Sequence, residues 1–88
     1  METTIRRLPD GELEVMQAIW ACDPPAARAE INAILEKTHP MALTTLLTVL
    51  SRLSEKGFVQ IQKDGRSARY IPLIARQDYL AQRTDYLP

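Results

Sequence analysis

One cysteine, Cys22, and one histidine, His39, are all the sequence offers for thiol or imidazole chemistry. A single thiol excludes an internal disulfide framework and any cysteine-based zinc cluster. His39 lies in Thr38-His39-Pro40, with no second histidine, cysteine or suitably spaced carboxylate near it. It reads as a loop residue rather than a metal ligand or a base, and no metal or cofactor is expected. No apolar run approaches the length of a membrane-spanning helix. The opening Met-Glu-Thr-Thr-Ile-Arg-Arg lacks the hydrophobic segment of a signal peptide. A soluble, cytoplasmic protein is therefore expected. Catalytic patterns are missing as well: there is no nucleophile–base pair, no paired carboxylates and no glycine-rich phosphate loop. Glu12 and Glu14 are two apart and do not face each other on a helix; they are expected to serve as first-turn partners of a helix dipole. An enzyme is not expected.

Net charge is absent too, which on its face argues against nucleic acid, but the distribution is uneven. Residues 1–40 carry four Lys/Arg against seven Asp/Glu, a balance of −3, and residues 41–88 carry seven against four, a balance of +3. The second half thus has a local basic footprint. At 88 residues the chain is expected to form one domain with a small core. Its 45% hydrophobic content with mixed charges excludes a disordered chain.

Leu8-Pro9-Asp10 looks like a helix entry, with Asp10 able to cap and Glu12 and Glu14 in the first turn. Leu13, Met16, Ile19 and Trp20 recur at helical spacing to Ala21, with Trp20 as a core anchor. Cys22-Asp23-Pro24-Pro25 ends that helix. A second is predicted over Ala26–Lys37, with Ile31, Ile34 and Leu35 inward. Its start offers only Ala26 and Ala27 in place of a capping Ser or Thr, with Asp23 as the nearest substitute.

The third predicted helix, Ala42–Lys56, has two unlike sides. At 100° per residue, Leu43, Leu46, Val49, Leu50 and Leu53 gather on one side. Thr44, Thr48, Ser51 and Glu55 gather opposite, flanked by Thr45 and Arg52. A solvated helix face usually carries Glu and Lys, which favour helix more than Thr or Ser do. A short hydroxyl-and-methyl surface with one arginine suits contact with a groove. Gly57 fits the left-handed position just past the helix end, and Lys56 the negative end of its dipole.

After Gly57 the period changes from 3.6 to 2. Phe58–Lys63 alternates, Asp64-Gly65 signals a hairpin turn, and Arg66–Leu73 returns, with Pro72 near the end of an edge strand. From Ala75 a helix start carries a stripe of Tyr79, Leu80, Arg83, Tyr86 and Leu87, too short to bury itself alone. It must fold back onto the domain or meet a partner.

Three helices and a β-hairpin within about seventy residues predict a winged helix-turn-helix, mainly α with a hairpin (α+β), followed by the start of a C-terminal helix. The expected division is residues 1–74 for the winged-helix domain and 75–88 for the start of a dimerisation or packing helix. In that arrangement the third helix enters the major groove and the wing meets the backbone or minor groove. Lys63, Arg66 and Arg69 lie around the wing turn. Double-stranded DNA is the expected partner. The alternative is a winged-helix interaction module that binds protein and no DNA, which the zero net charge and the tail stripe favour.

The residues also carry a family resemblance. Leu8-Pro9-Asp10-x-Glu12-Leu13-Glu14-Val15-Met16 with Ile19-Trp20 resembles the opening of the penicillinase-repressor family (BlaI/MecI, including the copper-responsive CopY repressors). Thr44-Thr45-Leu46-x-Thr48-x-Leu50-x-Arg52-Leu53-x-x-Lys56-Gly57-Phe58-Val59 resembles its third helix. Lys63-Asp64-Gly65-Arg66-x-x-Arg69-Tyr70-x-Pro72-Leu73 resembles its wing, and Tyr79-Leu80 its exit into the next helix. The resemblance implies a repressor that binds a palindromic operator as a homodimer. Carried over by position, Thr44, Thr45, Thr48 and Arg52 would face DNA from the third helix, and Lys63, Arg66 and Arg69 from the wing. It also implies a helical dimerisation region after the wing, most of which is missing from this sequence. In some members a sensor-activated protease cuts that region; in others copper releases the DNA through C-terminal cysteines, a cluster this sequence lacks. Three departures stand out. Met41 and Leu43 replace frequent aromatics, Ala26 and Ala27 replace a common capping residue, and Leu47 stands where several members carry a base, so fewer charged contacts are expected.

Overall fold

The computed structural model describes residues 8–86. Helix α1 (Asp10–Ala21) starts immediately after Pro9, whose carbonyl accepts the Leu13 N–H at 2.9 Å. Pro9, not Asp10, occupies the N-cap, and no side chain caps the helix. Asp10 is the first helical residue and contributes only its charge to the positive end of the dipole. The buried positions include Glu12, Val15, Met16 and Ile19, the i, i+3, i+4, i+7 spacing of a core stripe. Trp20 is half-buried, and its Nε1–H donates to the Ile74 carbonyl at 2.8 Å, which ties α1 to the segment after the wing.

Strand β1 (Ala26–Ala27) occupies the expected beginning of the second helix. The two alanines follow Pro24 and Pro25, which are joined by a cis peptide, and Ala27 has extended backbone angles (φ −83°, ψ 150°). Their backbone groups pair with the wing instead of opening a helical turn. Helix α2 (Arg28–Thr38) then begins with the Glu30 carboxylate accepting the Ala27 N–H at 2.9 Å. An alanine has no side chain to return that bond, so this is one half of a capping box. Ile31 and Leu35 enter the core and Ile34 packs at its edge.

Helix α3 (Leu43–Glu55) buries Leu46, Val49, Leu50 and Leu53. Leu43, expected inward, is 47% exposed. Its angle on the helix is close to that of fully enclosed Leu50, but it lies in the first turn, beyond the reach of the packed surface. The helix ends in a Schellman motif. Gly57 has φ +83°, its N–H donates to the Ser54 carbonyl at 3.1 Å, and the Phe58 N–H donates to the Leu53 carbonyl at 2.9 Å. Phe58 and Leu53, the pair that makes the accompanying apolar contact in this motif, are both buried.

Strands β2 (Val59–Asp64) and β3 (Ser67–Pro72) form the hairpin, and β1 adds to the outer edge of β3, giving the antiparallel order β1-β3-β2. The two turn residues are Gly65 (φ +66°) and Arg66, glycine at the first turn position where positive φ is required. Beyond the last strand pair, the Leu73 N–H donates to the Phe58 carbonyl at 2.8 Å and closes the hairpin base.

Helix α4 (Arg76–Tyr86) folds back onto the domain through Tyr79. That side chain is buried between Trp20 and Phe58, with ring centroids 6.0 and 6.1 Å away. Its hydroxyl accepts the Leu8 N–H at 3.0 Å. Arg83, Tyr86 and Leu87, the remainder of the expected stripe, lie outside the described side chains. The architecture is the predicted winged helix-turn-helix, with a short third strand that the sequence did not signal.

Candidate nucleic-acid interface

The exposed side of α3 is graded across its width. Thr44, Thr48 and Ser51 run down the middle, Thr45 and Arg52 form one flank, and Leu43 and Leu47 form the other; all seven are exposed. Thr44, Thr45, Thr48, Val49 and Arg52 line an open hollow of about 320 Å³. Thr48 donates its hydroxyl to the Thr44 carbonyl one turn back, at 3.0 Å. The first turn of α3 contains no acidic residue. The positive end of its dipole is therefore not offset locally.

Beneath the other end of α3 lies Glu12, the one buried charged side chain among the described residues. Its Oε1 accepts a charge-assisted hydrogen bond from Lys56 Nζ, and its Oε2 is 4.0 Å from the Arg52 guanidinium. Glu12 is thus more than the first-turn dipole partner that spacing suggested. The start of α1 seats this carboxylate against the end of α3, where it neutralises Lys56 and leaves Arg52 with 63% of its side chain exposed. Spacing does contain the signal: Glu12 stands four residues before Met16 and three before Val15, on the stripe that faces the core.

The wing separates the three basic residues grouped by sequence. Arg66 is at the tip, in the turn, and is exposed. Lys63 lies opposite Ala68, on the sheet face that further down carries Ile61 and Tyr70, and it is exposed beyond the end of the core. Arg69 lies opposite Gln62 on the other face, beside Ala27 of β1, and is half-buried. The structure therefore brings Thr44, Thr45, Thr48 and Arg52 onto one surface, puts Lys63 and Arg66 at the wing tip, and sets Arg69 apart in mid-strand. Among the described residues, no group of three or more His, Cys, Asp or Glu is arranged to hold a metal ion, and no helix is long and apolar enough to cross a membrane.

The family model of the penicillinase repressor matches residues 8–87, nearly the whole chain. The chain belongs to the penicillinase repressor family. Among family relatives, it is 34% identical to the transcriptional regulator BlaI of Mycobacterium tuberculosis (strain H37Rv) over 77 residues, covering 88% of this chain and 56% of the relative. It is 37% identical to the penicillinase repressor of Bacillus licheniformis over 76 residues, covering 86% and 59% respectively. The chain thus spans a little over half the length of these relatives. Solved structures that share its fold include two of BlaI. The DNA-binding domain of the repressor BlaI in solution superposes with a TM-score of 0.72 at 36% identity, covering 89% of this chain and 94% of that one. The monomeric form of Bacillus licheniformis BlaI in complex with the blaP half-operator gives 0.69 at 37% identity, covering 86% and 92%. The segment that resembles the family's opening supplies Glu12, and the one that resembles its third helix supplies both Arg52 and Lys56.

Proposed function

We propose that this chain is the DNA-binding part of a transcriptional repressor, with residues 1–74 as the winged-helix unit and residues 75–88 opening the helix that leads to dimerisation. The observation that carries the reading is the exposed face of α3: hydroxyls, methyl groups and one arginine, with no acid in the first turn. Thr44, Thr45, Thr48 and Arg52 meet the major groove. Lys63 and Arg66 at the wing tip, with Arg69 further along β3, meet the phosphate backbone. The solved complex of a relative with a half-operator supports DNA as the partner and weighs against a module that binds protein alone. Two copies bind a palindromic operator in the cytoplasm, paired through the part of the relatives' length that this chain does not span. A sensor or protease acting on that part would relieve repression.

The test is a binding titration at several salt concentrations. With the three wing cations, Lys63, Arg66 and Arg69, neutralising phosphates, the log–log slope of affinity against salt is about −2.7. A flat response would remove the phosphate contacts from the reading. Selection of duplexes from a random pool tests specificity, and the same selection with a chain that includes the pairing part tests pairing, because half-sites recurring about one helical turn apart report a dimeric geometry.

A further inference from the structure

We propose that α3 reads the 5-methyl group of thymine through its apolar flank, with Leu47 as the specificity-determining contact and Leu43 extending the same edge one turn earlier. This rests on the DNA-binding reading above. Leu43 and Leu47 are 47% and 41% exposed, two of the four exposed large hydrophobics among the described residues. They lie four residues apart in the first two turns of α3, the part of a recognition helix that meets base edges.

The polar groups on the same face cannot provide most of the readout. The first seven residues, Leu43-Thr44-Thr45-Leu46-Leu47-Thr48-Val49, contain no Arg, Lys, Asn or Gln, so none of the bidentate base contacts can be made there. Thr48 has already donated its hydroxyl proton to the Thr44 carbonyl, which leaves it an acceptor only. While that bond is kept, it does not donate to guanine O6 or N7, or to thymine O4. Arg52, the long donor of this face, is about 140° around the helix from Leu47. It is also within 4.0 Å of Glu12. Beside the single hydroxyls of Thr44 and Thr45, what remains on the leading half of the helix is aliphatic carbon.

Among the four base pairs, the apolar feature of the major-groove edge is the thymine methyl. An apolar flank beside a hydroxyl strip thus fits a groove with thymine under Leu47. A protein ligand would meet the same leucines, but the charge pattern argues for DNA. The first turn has no acid, Arg52 stands on the opposite flank, and Lys63 and Arg66 sit on the wing tip.

The experiment uses the 88-residue chain and a duplex selected from a random pool. Each thymine is replaced in turn by deoxyuridine, which removes the methyl and nothing else. Affinity is measured for the wild type and for Leu47→Ala. Leu47 is exposed and alanine favours helix, so the variant keeps the fold; its thermal melting is recorded alongside. We expect one thymine per half-site at which deoxyuridine weakens wild-type binding about four-fold, the effect of one buried carbon. In Leu47→Ala the thymine and deoxyuridine duplexes bind equally. Specific binding that is indifferent to every deoxyuridine, or a deoxyuridine effect that persists in Leu47→Ala, overturns the assignment of Leu47 while leaving DNA binding intact. Failure of the pool to yield any duplex held above the random level overturns the DNA-binding reading itself.

Discussion

Replacing Tyr79 by phenylalanine removes one oxygen atom from the core and nothing else. The ring stays between Trp20 and Phe58, so the aromatic contacts at 6.0 and 6.1 Å are retained. The hydroxyl that accepts the Leu8 N–H at 3.0 Å is lost, in a buried site where that amide has no water to turn to. A buried donor left without its acceptor costs about 1–3 kcal/mol. For a domain of this size that corresponds to a fall in melting temperature on the order of 10 °C. Urea unfolding followed by the fluorescence of Trp20, the single tryptophan and a direct neighbour of residue 79, measures the change. The midpoint falls while the slope with denaturant is unchanged, because the surface exposed on unfolding is the same. Hydrogen exchange at the Leu8 amide supplies a local readout, with protection lost in the variant. Equal stability within about 0.3 kcal/mol, or unchanged protection at Leu8, would refute the role given to this hydrogen bond. Tyr79→Ala, which also removes the ring, costs more, about 3–5 kcal/mol.

Arg52→Ala weakens specific DNA binding by about 1–3 kcal/mol in a gel-shift titration if the guanidinium reads a base; if it holds phosphate, the loss is uniform across sequences and the salt slope falls by about one unit. Gly57→Ala costs about 1–2 kcal/mol, since a side chain is strained at φ +83°; nothing lies within 4 Å of the added Cβ, so the loss measured by thermal melting is backbone strain and not a clash. Burial pushes the Cys22 thiol above its usual range, with the Glu30 and Asp23 carboxylates adding to the shift. Its alkylation rate therefore rises at higher pH than that of a free cysteine. The stability it contributes is complete below the unfolded thiol's pKa and is lost as pH rises through the raised folded value. Equal alkylation profiles for the folded and unfolded chain would contradict this.

Most of the framework is written locally, and local signals were readable. The change of period at Gly57 marks where α3 gives way to β2, and glycine at 57 and 65 sits where the backbone requires positive φ. The Thr-rich face of α3 is exposed as the wheel predicts, because a stripe of four buried aliphatics fixes the rotation of the helix. What was not readable depends on residues far apart in the chain. Two alanines show no period, so β1 is visible only once β3 lies beside it. Leu43 shares an angle with Leu50, and only the tertiary edge of the core leaves it in solvent. Glu12 looked like a first-turn acid because a periodicity search counts apolar residues and passes over a carboxylate on the apolar stripe. Its partners, Lys56 and Arg52, are 44 and 40 residues away. The wing cations were grouped by nearness in sequence, yet alternation along a strand sends Lys63 and Arg69 to opposite faces.

The bond between Tyr79 and Leu8 spans 71 positions. Chains are made from the N-terminus at about 5–20 residues per second. The three helices and both hairpin strands are therefore complete before the residue that closes the core is synthesised. Until Tyr79 arrives, one side of Trp20 and of Phe58 lacks its aromatic neighbour, and the Leu8 amide lacks its acceptor. The exposed face of α3 is thus synthesised before the residue that closes the core. The first turn of α4 carries the last-made residue of the core, and through Tyr79 it ties Leu8 to Trp20 and Phe58 across nearly the whole described chain.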